Sequence, residues 1–186
     1  MLIIGITGTL GAGKGTIVDF LVKQKEFVHF SVRDYLIREI LKRGLTVDRN
    51  SMTDVANDLR AKNSSSYIVD ELHREALKTG KNSVIESLRT PGEIDSLKAK
   101  GNFFLFAVDA PPQVRFDRIK KRASETDHID FATFIQNEKR EMTTNDPNKQ
   151  NLKHCIQMAD FVFENTGSVA ELEMKVEEVI RSINAE

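Results

Sequence analysis

Residues 8–16 read Gly8-Thr9-Leu10-Gly11-Ala12-Gly13-Lys14-Gly15-Thr16, directly after a short apolar run over residues 2–7. Such a run, ended by a glycine-rich turn, predicts a buried parallel strand. Ile17, Val18, Phe20 and Leu21 then recur at helical spacing. Strand, glycine loop and helix in that order make a cradle for phosphate. The glycines let backbone N–H groups turn inward, the helix N-terminus adds partial positive charge, and Lys14 can reach the β- and γ-phosphates. The bland alternative is a glycine-rich turn with one surface lysine. The strand before it and the helix after it weigh against that.

The remaining pattern is consistent with this start. Further short apolar runs at residues 27–30, 83–86, 103–108 and 161–163 predict four more strands. Helical periodicities lie between them. Leu36, Ile37, Ile40 and Leu41 mark one helix. Ser51 opens a second, with Val55 and Leu59, and Ile68, Val69, Leu72 and Ala76 mark a third. Thr90-Pro91-Gly92-Glu93 combines an N-cap, a proline at the first helical position and a capping-box acid. Asp130 can cap a helix carrying Phe131, Phe134 and Ile135, and Ser168 with Glu171 forms another capping box. Five strands alternating with helices predict an α/β three-layer sandwich around a five-stranded parallel sheet. Ligands of such sheets bind beyond the C-terminal strand ends. Residues 31–80 insert three helices with no linker composition, so they read as a flap on one domain spanning 1–186.

Composition removes several function classes. The 186 residues hold 27 Lys+Arg against 28 Asp+Glu, a net charge of −1, so no global basic excess supports a nucleic-acid or membrane partner. The one cysteine, Cys155, excludes an internal disulfide framework and a Cys-only zinc site. It reads as a small core residue of a helix in a reducing, cytoplasmic protein. The histidines 29, 73, 128 and 154 have no ligand spacing. No apolar run approaches the roughly 20 residues of a membrane span. The N-terminus lacks the basic region and cleavage site of a signal peptide. A monomer is the default at this length.

The loop departs from the commonest P-loop pattern at one place. Gly15, not Ser or Thr, follows the lysine, and the hydroxyl comes at Thr16. This variant resembles the nucleoside monophosphate kinase family, which includes the adenylate kinases. The likeness runs along most of the chain. Phe30-Ser31-Val32-Arg33-Asp34-Tyr35-Leu36-Ile37-Arg38 is similar to the family's Ser-x-Gly-Asp stretch and its helix arginine, leaving the acceptor-phosphate role open between Arg33 and Arg38. Glu86-Ser87-Leu88-Arg89 resembles Asp-Gly-x-x-Arg. Val108-Asp109-Ala110-Pro111, followed by Arg115, Arg118 and Arg122, resembles the fourth strand and the helix before the lid. The lid would be short, about residues 123–130. Lys139 and Arg140 stand where the family has cations after the lid. Asn165-Thr166-Gly167 looks like the loop that contacts the base of ATP. The stretch 159–168 and the short lid also resemble dephospho-CoA kinases, and archaeal-type nucleotide kinases combine both sets of features.

The resemblance implies a division of roles. Gly8, Gly11, Ala12, Gly13, Lys14, Gly15 and Thr16 would cradle ATP, with Arg118, Asn165 and Gly167. Thr16 and Glu86 would hold Mg²⁺. Arg33, Asp34, Arg38, Arg89 and Arg140 would bind the acceptor. Lys14, Arg89, Arg118 and Arg122 would act on the moving phosphoryl group. Phosphoryl transfer needs chiefly positioning and neutralised charge, which arginine forks supply bidentately. A phosphate acceptor is already a nucleophile, whereas a hydroxyl acceptor needs a carboxylate base. Dephospho-CoA kinases typically show Asp-x-Asp at the end of strand two, where this chain has Asp34 alone, flanked by Arg33 and Arg38. The expectation is therefore ATP- and Mg²⁺-dependent transfer to a nucleoside monophosphate or similar small nucleotide. Two rivals stay open. One is a dephospho-CoA-type hydroxyl kinase with Asp34 as base. The other is an ATPase switch whose basic residues from Arg115 to Arg122 serve a macromolecular partner.

Overall fold

The computed structural model describes residues 1–122 and 129–184. In chain order the elements are β1 (Ile3–Gly8), α1 (Lys14–Lys25), β2 (Val28–Ser31), α2 (Val32–Lys42), α3 (Arg49–Lys62), α4 (Tyr67–Thr79) and β3 (Ser83–Glu86). They continue with α5 (Pro91–Ala99), β4 (Phe103–Asp109), α6 (Pro112–Arg122), α7 (Phe131–Met142), α8 (Leu152–Gln157), β5 (Phe161–Glu164) and α9 (Val169–Ile183). The five strands form one sheet in the order β2-β3-β1-β4-β5, and every pairing is parallel. The five-stranded parallel α/β sandwich expected from the sequence is thus the fold observed. The lid expected at 123–130 falls mostly on residues 123–128, which lie outside the described residues.

Both faces of the sheet are covered, which explains why its strands read as apolar runs rather than alternations. Ile3, Ile85 and Leu105 pack with Leu36, Val55, Ile68, Leu72, Ile94 and Cys155 on one face. Ile4, Ile6, Val84 and Phe106 pack with Ile17, Leu21, Leu172 and Val176 on the other. The flap helices α2, α3 and α4 share the first of these cores with the sheet. Cys155 is buried there on α8, as expected, and burial pushes its thiol pKa up.

Caps set the helix starts. The capping boxes Thr90–Glu93 and Ser168–Glu171 are both formed, and Asp130 caps α7. The start of α3 differs from the sequence reading. Asp48 caps α3 and Ser51 is the third helical residue, closing a reciprocal box. The cap of α2 is Ser31, whose Oγ accepts the Asp34 N–H at 3.1 Å, so Asp34 lies inside the first turn.

The register brings the strand ends that matter together. Ile6 lies opposite Glu86 on β3, and Gly8 lies opposite Val108 on β4. The chain leaves β1 between neighbours reached by crossovers in opposite directions, which opens a crevice at the C-terminal ends of the strands.

Candidate active site

The glycine loop folds as a ring that glycine alone permits at its ends. Gly8 has φ 140° and Gly13 φ 114°. A Cβ on Gly8 would strike the Val108 carbonyl oxygen, and one on Gly13 would strike the Asn165 side-chain amide. Gly13 precedes α1 with no side-chain cap, and the first turn of α1 holds no acid. Nothing within α1 itself therefore neutralises the partial positive charge of that helix end. Lys14 Nζ spans the loop, donating to Gly8 O at 2.9 Å and Thr9 O at 2.8 Å.

A second set of groups braces the ring from outside. Thr9 Oγ1 donates to Asp109 Oδ1 at 2.5 Å. Arg115 Nη1 donates to Leu10 O at 3.3 Å, its Nε to Ala110 O at 2.6 Å, and its fork pairs with Glu138. Asn165 Nδ2 donates to Ala12 O at 2.8 Å, and Arg118 donates to Ala12 O and Asn165 O at 3.4 and 3.0 Å. Three neighbouring segments, the end of β4, α6 and the turn after β5, thus hold the loop in shape before any phosphate arrives, a preorganisation that lowers the cost of binding.

A cleft of about 640 Å³ opens between this loop and the flap. Among the described residues its wall contains Lys14, Arg33, Arg49, Arg60, Arg89, Arg118 and Arg122, against the two carboxylates Glu86 and Glu141. A chain with balanced total charge therefore concentrates positive charge at one place. α3 turns Arg49, Thr53, Ala56 and Arg60 toward the cleft, the i, i+4, i+7, i+11 face of one helix. Val32, Leu36, Met52 and Ala56 supply an apolar stretch of wall.

Glu141 organises the two sides. It accepts from Arg49 Nη2 at 2.8 Å and from Arg89 Nη1 at 2.5 Å, and Arg89 Nη1 also donates to Gln150 Oε1 at 2.8 Å. Burial would raise the Glu141 pKa, but the Arg89 and Arg49 guanidinium groups bring it down to about 2. Glu86, at the end of β3, has Ser31 Oγ at 3.4 Å and His29 Nε2 at 3.6 Å from Oε1. Its burial acts upward as well, yet His29, Lys14 and Ser31 hold the carboxyl below its usual range. Burial of Lys14 is the chief cause, with Arg89 beside it, of an ammonium pKa lowered to about 7. A bound polyphosphate would reverse that shift.

The expected residues divide into four groups by position. Gly11, Gly13, Lys14, Gly15, Thr16, Arg33, Glu86, Arg89, Arg118 and Arg122 line the cleft. Gly8, Ala12 and Asn165 sit behind the cradle, Asn165 as a buried brace rather than an open base-contacting loop. Gly167 lies just before the cap of α9. Arg38, Asp34 and Arg140 are exposed and outside the cleft wall. Arg38 lies over the Tyr35 ring and 3.5 Å from Glu75, so of the two arginines left open, Arg33 is the one at the cleft. On α7 the inward face carries Glu138 and Glu141, three residues apart, which leaves Lys139 and Arg140 toward solvent. Arg115 is buried and paired with Glu138, and Arg118, on the same helix, donates to the Ala12 and Asn165 carbonyls. Sequence reasoning missed Arg49, Arg60, Glu141 and Gln150. The α3 spacing of Arg49, Thr53, Ala56 and Arg60 was the one signal available for the first two.

A braced glycine loop at the start of α1, in a 2-3-1-4-5 parallel sheet facing an arginine-rich cleft, defines a P-loop domain of kinase-like fold, which implies nucleotide (ATP) binding. Residues 4–146 match the AAA domain family model AAA_18, and the chain belongs to that family. It also belongs with the UPF0200 proteins. It is 31% identical to the UPF0200 protein of Methanococcus vannielii over 168 residues, covering 89% of this chain and 87% of that one. It is 28% identical to UPF0200 protein MJ1399 of Methanocaldococcus jannaschii over 186 residues, covering 98% and 91%. Among solved structures it resembles TT1252 from Thermus thermophilus (TM-score 0.62, 21% identity, 97% of each chain). It also resembles dephospho-CoA kinase from Campylobacter jejuni (TM-score 0.51, 14% identity, 97% of this chain and 96% of that one). These structural likenesses concern the fold. Among the described residues no helix is long and apolar enough to cross a membrane.

Proposed function

We propose that the protein is an ATP-dependent nucleotide kinase that transfers the γ-phosphate of ATP to the phosphate of a nucleoside monophosphate. The observation that carries this reading is the shared cleft. Lys14, Arg118 and Arg122 line it beside the cradle, while Arg33, Arg49 and Arg89 line it toward the flap. Two anions can be brought together there because guanidinium and ammonium groups surround both. In the reaction an acceptor phosphate oxygen attacks the γ-phosphorus. The bond from that phosphorus to the β–γ bridging oxygen breaks, and ADP leaves with the electron pair. No proton has to be taken from the acceptor.

The position of Asp34 favours a phosphate acceptor over a hydroxyl. Asp34 is exposed and outside the cleft wall, so the carboxylate expected to serve a hydroxyl acceptor as base does not face the cradle. The Thr16 hydroxyl and the Glu86 carboxylate both line the cleft beside Lys14. That donor set fits Mg²⁺, which takes few protein oxygens alongside substrate phosphates and waters. Thr16 and Glu86 would hold the ion, and when bound it supplies charge neutralisation at the phosphates. Lys14 and the cradle N–H groups orient the triphosphate, Arg89 and Arg33 orient the acceptor, and exclusion of water from the cleft suppresses ATP hydrolysis.

The test is ADP production from ATP and Mg²⁺ with each ribo- and deoxyribonucleoside monophosphate and with dephospho-CoA, using Lys14→Ala as the blank. Stimulation by one or a few monophosphates, absent in the blank, is expected. Stimulation by dephospho-CoA alone, or slow turnover indifferent to every acceptor, refutes the reading.

A further inference from the structure

A buried guanidinium forms part of the flap side of the cleft with one of its donors unused. Arg60, near the end of α3, is 2% exposed although it belongs to the cleft wall. Its Nε and Nη2 donate to Glu93 Oε1 at 3.2 and 2.7 Å. Glu93 is fully buried, and its other oxygen accepts the backbone N–H groups of Arg89 and Thr90 at 2.7 and 3.0 Å. Arg60 Nη1, on the opposite edge of the planar fork, has no partner. Among the described residues only Asn57 Oδ1 shares that condition, and Asn57 is not part of the cleft wall. Native proteins rarely leave such a donor unmet, since it bears its full desolvation cost.

The surroundings define what would meet it. Arg49, joined to Arg89 through Glu141, marks the charged end of the wall. Arg60 stands about three helical turns further along α3, past the apolar Met52 and Ala56. An acceptor whose phosphate sits at Arg49 and Arg89 therefore extends its other end over apolar wall toward Arg60. Arg60 and Glu93 together carry no net charge, so a second phosphate is poorly matched there. An N–H donor requires a lone pair and is mismatched to an amino group.

We propose that Arg60 determines acceptor specificity, selecting a nucleobase with an exocyclic carbonyl at its outer edge (guanine, hypoxanthine, uracil or thymine) over adenine and cytosine. The inference rests on the monophosphate-kinase reading above and adds the class of base to it.

The experiment compares kcat/KM of the wild-type protein for matched monophosphates: inosine against adenosine, uridine against cytidine, and inosine against purine riboside, which lacks the 6-oxygen and carries a bare N1 in place of N1–H. A carbonyl-bearing member is expected to exceed its amino partner by about tenfold to a hundredfold, and deletion of the oxygen to lose the same factor. Arg60→Lys keeps the charge opposite Glu93 and removes the Nη1 donor, so it should compress the ratio to within about threefold. A merely structural Arg60 would lower all acceptors in parallel and leave the ratio intact. Should Arg60→Lys fail to fold, the wild-type comparison decides. Equal rates for both members of each pair, or a preference for the amino member, overturns the inference while leaving the kinase reading standing. ADP formation no higher than the Lys14→Ala blank with every monophosphate overturns the kinase reading, and this inference with it.

Discussion

Replacing Glu141 by Gln should destabilise the protein by an amount that fades in acid. In the folded protein the Glu141 carboxyl sits at about 2 against an ordinary 4.5, held there by Arg89 and Arg49 against the cost of burial. A pKa depressed by about 2.5 units corresponds to about 3 kcal/mol at 1.36 kcal/mol per unit. Because the folded value is the lower one, this stability is fully present above pH 4.5 and is lost as pH falls through about 2. At pH 3 about 1.5 kcal/mol of it should remain. The Glu141 side chain is only 15% exposed, so solvent screening does little to reduce the figure. Glu141→Gln should therefore cost about 3 kcal/mol at pH 7 and about half that at pH 3, read as midpoints and slopes of urea unfolding at each pH. A loss below about 1 kcal/mol at pH 7, or an equal loss at both pH values, would refute the account of Glu141 as the anion that holds the two arginines.

Other consequences can be checked separately. Lys14, brought down to about 7 in the free cleft, should take up close to one proton when ATP binds at pH 8.5. Calorimetry in buffers of different ionisation enthalpy measures that uptake, and Lys14→Met should abolish it. Ser87, between Glu86 and Arg89, has φ 70°, a left-handed conformation that costs a non-glycine residue about 1–2 kcal/mol. Ser87→Gly should gain up to about 1 kcal/mol after the added unfolded-state entropy is counted, as read by denaturant unfolding. Gly8→Ala should lose ATP binding and more than about 2 kcal/mol of stability, because the added methyl meets the β4 backbone at an unfavourable φ.

Local features of this fold were legible in the sequence because their causes are local. The cradle needs glycines at fixed spacing between a strand and a helix, and residues 8–16 supply them. The strands read as apolar because both faces of the sheet are covered, and capping boxes such as Thr90–Glu93 declare themselves in four residues. What stayed hidden depends on how elements face one another. On α7, Lys139 and Arg140 are the residues a charge pattern suggests for a phosphate site. The inward face holds Glu138 and Glu141 instead, because these pair with Arg115, Arg49 and Arg89. Asp34 and Arg38 sit near Arg33 in sequence, but the turn angle of α2 puts Arg33 and neither of the other two at the cleft. Arg60 and Glu93 are 33 residues apart and meet only when α3 docks on the start of α5.

The central claim is that one cleft brings ATP and a monophosphate together for direct transfer. Phosphorus-31 NMR of the protein with ATP, Mg²⁺ and the most stimulating monophosphate tests it most directly. The account predicts ADP and a new nucleoside diphosphate rising in equal amounts, with little inorganic phosphate and no transfer by Lys14→Ala. Inorganic phosphate rising in step with ADP, with the monophosphate left unchanged, would contradict it.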